Sequence, residues 1–542
     1  MSRLPGVTSF PPQFAARYRS KGYWEDVPLG RFYDRVFAAH RDRIAIISRD
    51  ERVSYAVLKQ RVDRLALHLL DQGVAPLDRW VVQLPNIPEF VYLYFALQRL
   101  GAIPIMALAG HRWNEINAFF ELSGATGYAV SERIGDFDTR QLVDQVRDAH
   151  PKVRTVLGVE RIRELVAGNS TLDINLLESV EIDPDEPCIL QLSGGTTGVP
   201  KLIPRTNNDY LYNTKAAVAV NDVHEDDCLL VVLPIAHNFP LACPGISGFF
   251  WKGARAVLHE SARAEEVFPL IARERITHLE LVPALLIRYI NAPSIGDHDL
   301  SSVRVINTGG QKLQPEVKRR AESLFPNARV QEVFGMAEGL LMFVRLDDPD
   351  DVRFETAGRP VCEDDEIQLV DDERNPVPDG EVGELLVRGP YTLRGYYGVP
   401  EYNARTFTPD GFYCSGDLMR RHPSGNYVVE GRKKDLINRG GEKISAEEIE
   451  NLVLSHPAVL NVACVPMPDP VLGERMCAFV IPKPGRSLTL DELTAFLLQK
   501  GLAKFKLPER LELTDDLPLS KFGKVAKNVL TRRLAEEVTT PG

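Results

Sequence analysis

The stretch "QLSGGTTGVPKL", residues 191–202, is the segment on which the reading of this chain turns. From Ser193 to Gly198 it carries almost no side chain with which to build a core. Its glycines admit positive φ and let another group come close to the backbone. The hydroxyls of Ser193, Thr196 and Thr197 and the exposed amides donate hydrogen bonds, and Lys201 adds a mobile positive charge, a combination suited to a polyphosphate. Gly/Ser/Thr runs more often serve as linkers or turns. Here, however, "CILQL" just before it reads as a short buried strand, so the run is set in ordered structure. It is not a P-loop: Val199 and Pro200 separate Gly198 from Lys201, and no helix opening on Ser or Thr follows the lysine.

Working outward, the flanking chain alternates helix and strand. "VSYAVLKQRVDRLALHLLDQG" has apolar residues at helical spacing and ends at a glycine. "RWVVQLPN" reads as a buried strand, and "IPEFVYLYFALQRLGAIPIMALAG" as a helix running into another strand. The rhythm continues through "CLLVVLPIAH", "GARAVLH", "ITHLELVPALLIRYI" and "VRVINTGG", which predicts parallel sheets with helices on their faces. From about residue 355 the texture changes to strands separated by turn residues, an antiparallel or barrel-like subdomain. After "GRKKDLINRGGEKI" a small α/β unit follows, with helices in "SAEEIENLVLSHPAV" and "LDELTAFLLQKG" and strands in "NVACVPMPD" and "CAFVIPKP". The fold class expected is therefore α/β: a large N-terminal domain over 1–431 with doubly wound sheets and a β-barrel-like subdomain, then a small mobile C-terminal α+β domain over 432–542.

A chain of 542 residues exceeds what one core supports and should divide into domains. With 44% hydrophobic and 26% charged residues its composition is ordinary for a globular protein. The net charge of −11 excludes binding of nucleic acid through a global positive field. No apolar run approaches the roughly 18 residues that span a bilayer, so no membrane partner is expected. The N-terminus lacks the apolar core of a secretory signal. The seven cysteines are dispersed and free of CxxC spacing, which fits a reducing, cytoplasmic compartment and argues against disulfides or a zinc site.

Several glycine- and charge-bearing segments then fall in one order: "LSGGTTGVPK" (192–201), "AHNFPLACPG" (236–245), "NTGGQKL" (307–313), "FGMAEG" (334–339 with its flanking residues), "YCSGDLMRRHPSGNYVVEGRKKDLINRGGEKI" (413–444) and "PLSKFGKVAKN" (518–528). With these the chain resembles, over nearly its full length, the adenylate-forming superfamily of acyl-CoA synthetases, peptide-synthetase adenylation domains and luciferases. Within it the sequence is similar to the stand-alone aryl acid ligases that activate 2,3-dihydroxybenzoate or salicylate for siderophore assembly. The resemblance implies an ATP- and Mg²⁺-dependent ligase in which a carboxylate attacks the α-phosphate. That reaction joins two anions, so catalysis is chiefly charge neutralisation and positioning.

The resemblance further implies roles residue by residue. Ser193, Gly194, Gly195, Thr196, Thr197, Gly198 and Lys201 would hold the β- and γ-phosphates and the leaving pyrophosphate. Glu338 would help hold Mg²⁺, a hard cation that prefers oxygen ligands. Asp417 would accept from the ribose hydroxyls, with Arg432 beside it. Gly309, Gly310 and Val333 of the "QEVFG" strand would wall the adenine and the aryl ring. Lys524 would be the catalytic lysine, bridging the substrate carboxylate and the α-phosphate. Lys434 and Asp435 would form the hinge about which the small domain turns after adenylation, and Gly440, Gly441 and Lys443 would then face an incoming phosphopantetheine thiol. No carrier domain follows residue 520, so the acceptor is expected to be a separate aryl carrier protein or CoA, and the enzyme a monomer or homodimer.

The segment "AHNFPLACPG" bears on the acid. Amino-acid-activating relatives place an Asp where Asn238 stands, as a counter-charge for the substrate ammonium; a neutral amide suits the 2-hydroxyl of an ortho-hydroxybenzoate. Cys243 stands where dihydroxybenzoate enzymes carry Ser and salicylate enzymes Cys, and a thiol is a bulkier and weaker donor. Leucine at Leu340 or Leu341 replaces a smaller Val. These features favour salicylate, with 2,3-dihydroxybenzoate next. His237 and Phe239 flank the pocket residue, His237 as a gate without a catalytic role. Two rivals remain at this stage: an aryl- or acyl-CoA ligase, and a non-catalytic nucleotide-binding paralogue. The second predicts decay at costly positions, yet Lys201, Glu338, Asp417, Arg432 and Lys524 are all present.

Overall fold

The computed structural model describes residues 4–49, 51–168, 173–193, 201–310, 313–439, 442–469, 472–500, 502, 504–520 and 524–539. Gly194, Gly195, Thr196, Thr197, Gly198, Gly440 and Gly441, together with the side chains of Lys434 and Lys443, lie outside what is described.

Among the described residues, two large sheets organise the first 360 residues. One has nine strands, in the order Arg359–Pro360, Gly339–Phe343, Arg329–Met336, Val305–Gly309, His278–Leu281, Cys228–Val231, Arg255–Leu258, Ile44–Ser48 and Glu51–Ser54. Its six central strands are parallel and its edges antiparallel. The other has six strands, in the order Leu202–Thr206, Pro187–Leu192, Ile103–Met106, Arg79–Gln83, Gly127–Val130 and Thr155–Leu157, parallel except for the first pair.

Helices packed between the sheets supply the main core. All twelve residues of Pro88–Arg99 are buried, which explains why "PEFVYLYFALQR" shows no polar face: a helix covered on every side has none to present. Its Phe95 meets Tyr33, Phe37 and Phe250 with ring centroids 4.9, 5.0 and 6.1 Å away. Charges in this layer are paired, as burial requires: Arg99 reaches Asp63 at 3.3 Å and Glu178 at 2.7 Å.

The strand-rich region after residue 355 is an antiparallel meander of Glu366–Val370, Gly383–Arg388, Tyr413–Arg421 and Tyr427–Arg432. The hairpin Arg329–Met336/Gly339–Phe343 covers one of its faces, where Met336, Leu340 and Met342 pack with Leu385, Val387 and Met419. A turn over Lys433–Asp435 leads from Arg432 into the C-terminal sheet. There Val459–Asp469 and Gly473–Pro482 pair over almost their whole length, and the prolines at 466 and 468 are tolerated because the first of these strands is a sheet edge. Helices Ala446–Leu454, Leu490–Gln499 and Lys527–Thr539 complete this unit.

Phe95→Ala should cost about 3–5 kcal/mol, because rigid sheets above and below prevent collapse of the cavity. Chemical denaturation of the variant checks this, and a loss well under 1 kcal/mol would mean that the layer is loosely packed.

Candidate active site

In open parallel sheets, ligands bind beyond the carboxyl ends of the strands. The nine-stranded sheet sends four elements there: the segment after Cys228–Val231 that carries His237 and Asn238, the end of His278–Leu281, Gly309–Gly310 at the end of Val305–Gly309, and the tip Ala337–Glu338 beyond Met336. The opposite ends hold a cleft lined by Arg255, Arg275, Arg304 and Arg329. Those arginines are engaged by Asp222, Asp227, Asp299, Glu322 and backbone carbonyls, which leaves little for an anion.

The mouth of the opening loop is pinned by strand pairing. Leu192 pairs with Leu202; Ser193 N–H donates to the Lys201 carbonyl at 3.0 Å, and Lys201 N–H to Ser193 Oγ at 3.2 Å. The Lys201 ammonium lies 4.3 Å from the centre of the Tyr402 ring.

Across the site, the register of Tyr413–Arg421 and Tyr427–Arg432 places Asp417 opposite Arg432, and their side chains bond at 2.8 Å through Oδ1. The other oxygen, Oδ2, is buried and has no hydrogen-bond partner. Since a buried acceptor left unpaired costs on the order of 1–3 kcal/mol, Oδ2 is ready for a hydroxyl donor. Burial pushes the Asp417 carboxyl upward, and Arg432 and then Lys524 pull it back.

Lys524 enters from the C-terminal unit. A Cβ built on Gly310, which has φ +97°, would lie 3.2 Å from Lys524 Cε, so the lysine stem runs across a glycine that has no side chain to obstruct it. The ammonium is close enough to His237 and Asp417 to shift both electrostatically. His237 caps the helix Asn238–Ala242, its Nδ1 accepting from Phe239 N–H at 3.3 Å. Burial first, and Lys524 second, lower its pKa to about 4. The ring is therefore neutral, with its proton on Nε2.

Glu338 sits at the hairpin tip, its Oε1 accepting from the Tyr396 hydroxyl at 2.8 Å, while its carbonyl accepts from Leu393 N–H at 2.7 Å. The tip is tight because Gly339, at φ +122°, lies where a Cβ would meet Thr392 Cα at 2.4 Å. Among the described residues no group of three His, Cys, Asp or Glu side chains could cage a metal. A lone partly exposed carboxylate fits an ion that keeps its waters and shares the oxygens of a nucleotide.

On the far side of Gly309, whose absent Cβ lets it approach Val333 O, a small apolar cluster gathers Cys243, Val333, Leu341, Phe343 and Tyr391, with Phe239 against it. Val333, expected to wall the adenine and the aryl ring, stands here with Cys243 and Leu341. Of the two leucines, Leu341 joins this cluster while Leu340 faces the meander core, as alternation along a strand requires. Asn238 Nδ2 donates to Cys243 Sγ at 3.2 Å, and burial pushes the Cys243 thiol up to about 12.

The sequence reading missed the polar frame behind these residues. Arg205 and Asp209, both fully buried, bond at 2.7 Å. Arg205 also donates to Ala337 O at 3.0 Å and to Asn213 Oδ1 at 3.4 Å. Charged residues four apart, Arg205 at the end of the strand Leu202–Thr206 and Asp209 in the capping box with Thr206, were the signal available. Glu280, also missed, accepts from Gly245 N–H at 3.0 Å and holds the turn after Cys243.

The AMP-binding enzyme family matches residues 33–397, and the AMP-binding enzyme C-terminal domain matches residues 448–524. This chain belongs to the AMP-binding enzyme family. It is 46% identical over 540 residues to a salicylyl-CoA synthase / salicylate adenylyltransferase of Streptomyces, covering 97% of each chain. It is 43% identical over 535 residues to the 2,3-dihydroxybenzoate-AMP ligase of Bacillus subtilis, covering 99% of each. Among solved structures it resembles apo MbtA of Mycobacterium smegmatis, with a TM-score of 0.73 and 41% identity over 98% of this chain and 100% of the other.

Burial pushes the Glu280 carboxyl up to about 8, so the folded protein holds it neutral at pH 7. A carboxyl whose folded pKa is raised contributes stability that is complete below its unfolded pKa and is lost as pH rises through about 8. Glu280→Gln removes that loss. Its apparent Tm, relative to the parent, should therefore rise progressively from pH 5 to pH 8; a difference that does not vary with pH would contradict the neutral form.

Proposed function

We propose that this enzyme uses ATP to activate an ortho-hydroxybenzoate as its aryl adenylate, and then transfers the aryl group to the phosphopantetheine thiol of a separate aryl carrier protein in siderophore assembly. The observation that carries this reading is the convergence of Lys524, Gly310, His237 and Asp417 at one point, next to the neutral pocket of Asn238 and Cys243. The names borne by the related proteins support it.

In the first step a substrate carboxylate oxygen bonds to the α-phosphorus, the bond to the β-phosphate bridging oxygen breaks, and pyrophosphate leaves. The Lys524 ammonium neutralises charge on the carboxylate and the α-phosphate as they approach. Asp417 Oδ2 takes the ribose hydroxyls and Arg432, bonded to Oδ1, orients that carboxyl group. The loop that Ser193 and Lys201 close takes the outer phosphates, Lys201 supplying positive charge. Glu338 would hold Mg²⁺, which when bound screens the phosphate oxygens. In the second step the thiol loses its proton to solvent, its sulfur bonds to the acyl carbon, the bond from that carbon to the phosphate oxygen breaks and AMP leaves. Rotation about Lys434 and Asp435 would withdraw Lys524 and bring Gly440, Gly441 and Lys443 toward the thiol.

Within the pocket, Asn238 presents a neutral amide where an amino acid would need a charge. Cys243 and Leu341 fill the space that a 3-hydroxyl would occupy, which favours salicylate over 2,3-dihydroxybenzoate. Neutral His237 closes the pocket without adding charge.

The direct test is ATP–pyrophosphate exchange with salicylate, 2,3-dihydroxybenzoate, benzoate and a mixture of amino acids, followed by aryl transfer to a holo aryl carrier protein and to CoA. Exchange confined to amino acids, or absent, removes the reading. Thioester formed on CoA alone removes the carrier protein as acceptor. Lys524→Ala should lower exchange about a hundredfold or more while largely sparing transfer from preformed aryl adenylate; equal loss of both steps would refute this division of labour. Cys243→Ser should raise kcat/KM for 2,3-dihydroxybenzoate relative to salicylate by roughly five- to tenfold, and an unaltered ratio would remove Cys243 as a determinant.

A further inference from the structure

The polar residues behind the aryl pocket form a directed chain. Gln191 Nε2 donates to the Tyr210 hydroxyl at 3.2 Å, Tyr210 donates to Asn238 Oδ1 at 2.8 Å, and Asn238 Nδ2 donates to Cys243 Sγ at 3.2 Å. A phenol has a single proton to give, and here it is spent on the amide oxygen. Of the two N–H groups of the Asn238 amide, the second remains to face a ligand, while Oδ1, which keeps one further lone pair, is turned toward Tyr210. Gln191 and Tyr210 are 2% and 1% exposed and Asn238 is 6% exposed, so the amide is the member of the chain nearest open space.

A second chain meets the same sulfur from an end whose direction is unambiguous. The Arg205 guanidinium can only donate, and Asn213 Oδ1 accepts from it at 3.4 Å. Asn213 Nδ2 therefore faces the other way, donating to Ala242 O at 2.9 Å and to Cys243 Sγ at 3.5 Å. The Arg205 guanidinium also lies 5.2 Å from the centre of the Tyr210 ring and helps fix it.

We infer that Tyr210, held by Gln191, is a positioning residue that locks the Asn238 amide with its nitrogen toward the aryl acid, so that the pocket selects an ortho substituent that accepts a hydrogen bond and rejects an ortho amine. This rests on the function proposed above and adds the polarity of the ortho-group subsite and its cause. The phenolic proton of salicylate turns inward to its own carboxylate, which leaves the oxygen as an acceptor for the amide N–H. In anthranilate one amine N–H turns inward in the same way, and the other meets the amide N–H donor to donor. Two buried donors facing each other lose a hydrogen bond and leave both unpaired, the kind of mismatch that discriminates strongly between analogues.

The experiment measures kcat/KM in ATP–pyrophosphate exchange for salicylate, anthranilate and benzoate with the full chain, Tyr210→Phe and Gln191→Leu. The parent should prefer salicylate to anthranilate by about a hundredfold or more. In Tyr210→Phe the amide loses the donor on its oxygen and can turn over. The salicylate-to-anthranilate ratio should then fall about tenfold, and salicylate should lose far more than benzoate, which has no ortho group to be read. Gln191→Leu should move the ratio in the same direction by less, and it carries the test if Tyr210→Phe does not fold. Equal losses on all three acids, an unchanged ratio, or a parent that takes anthranilate as readily as salicylate would overturn the inference. A parent that exchanges with no ortho-substituted benzoate would instead overturn the proposed function, and this inference with it.

Discussion

The buried pair of Arg205 and Asp209 is the contact on which the site depends. Two charges removed from water are tolerable only when every remaining hydrogen-bonding position is filled, and losing either partner leaves an uncompensated charge. Filling those positions is what organises the neighbourhood. Asp209 caps its own helix through Thr206, with N–H···O at 2.8 Å. Arg205 spans from the carbonyl of Ala337, next to Glu338, to Asn213, next to Cys243. One guanidinium thus ties the strand leaving the glycine-rich loop to the hairpin tip and to the pocket floor.

Elements whose burial pattern matches their own period were legible in the sequence. The helix Tyr55–Asp71 and the strands Pro187–Leu192 and Arg79–Gln83 read correctly because their apolar residues are local signals. The helix Pro88–Arg99 was readable from the apolar stretch Phe90–Leu97 that fills most of it. What the sequence could not supply was the order of strands, since neighbours such as Ile44–Ser48 and Arg255–Leu258 lie some two hundred residues apart. The antiparallel texture after residue 355 was visible in its turns, but the hairpin that covers it was not, because Met336, Leu340 and Met342 belong to another sheet.

The same division holds at the site. Asp417, Arg432, Lys524 and Asn238 stand in short motifs that a reader can recognise by their residues. Tyr210, Gln191, Asn213 and Glu280 belong to no such motif; each acquires meaning only when a strand end, a helix and a turn are brought within hydrogen-bond distance. Leu340 and Leu341 show the limit at the scale of one residue. Adjacent in sequence and alike in chemistry, they are separated only by which face of the strand each occupies.

The neutrality of the pocket has a consequence for how the two parts of the chain communicate. His237, Glu280 and the Cys243 thiol carry no charge near pH 7, and Arg432 is engaged by Asp417. In the function proposed above, the positive field where carboxylate and α-phosphate meet would come from Lys201 at the loop and from Lys524, and of the two only Lys524 belongs to the C-terminal unit. With the domain turn proposed above, a polyanion bound there would favour the orientation that brings the lysine in, and by reciprocity that orientation would tighten its hold on the polyanion. Once pyrophosphate has gone, less negative charge remains to retain the lysine. In the proposed mechanism the nucleotide would in this sense be an effector of the domain arrangement as well as a reactant.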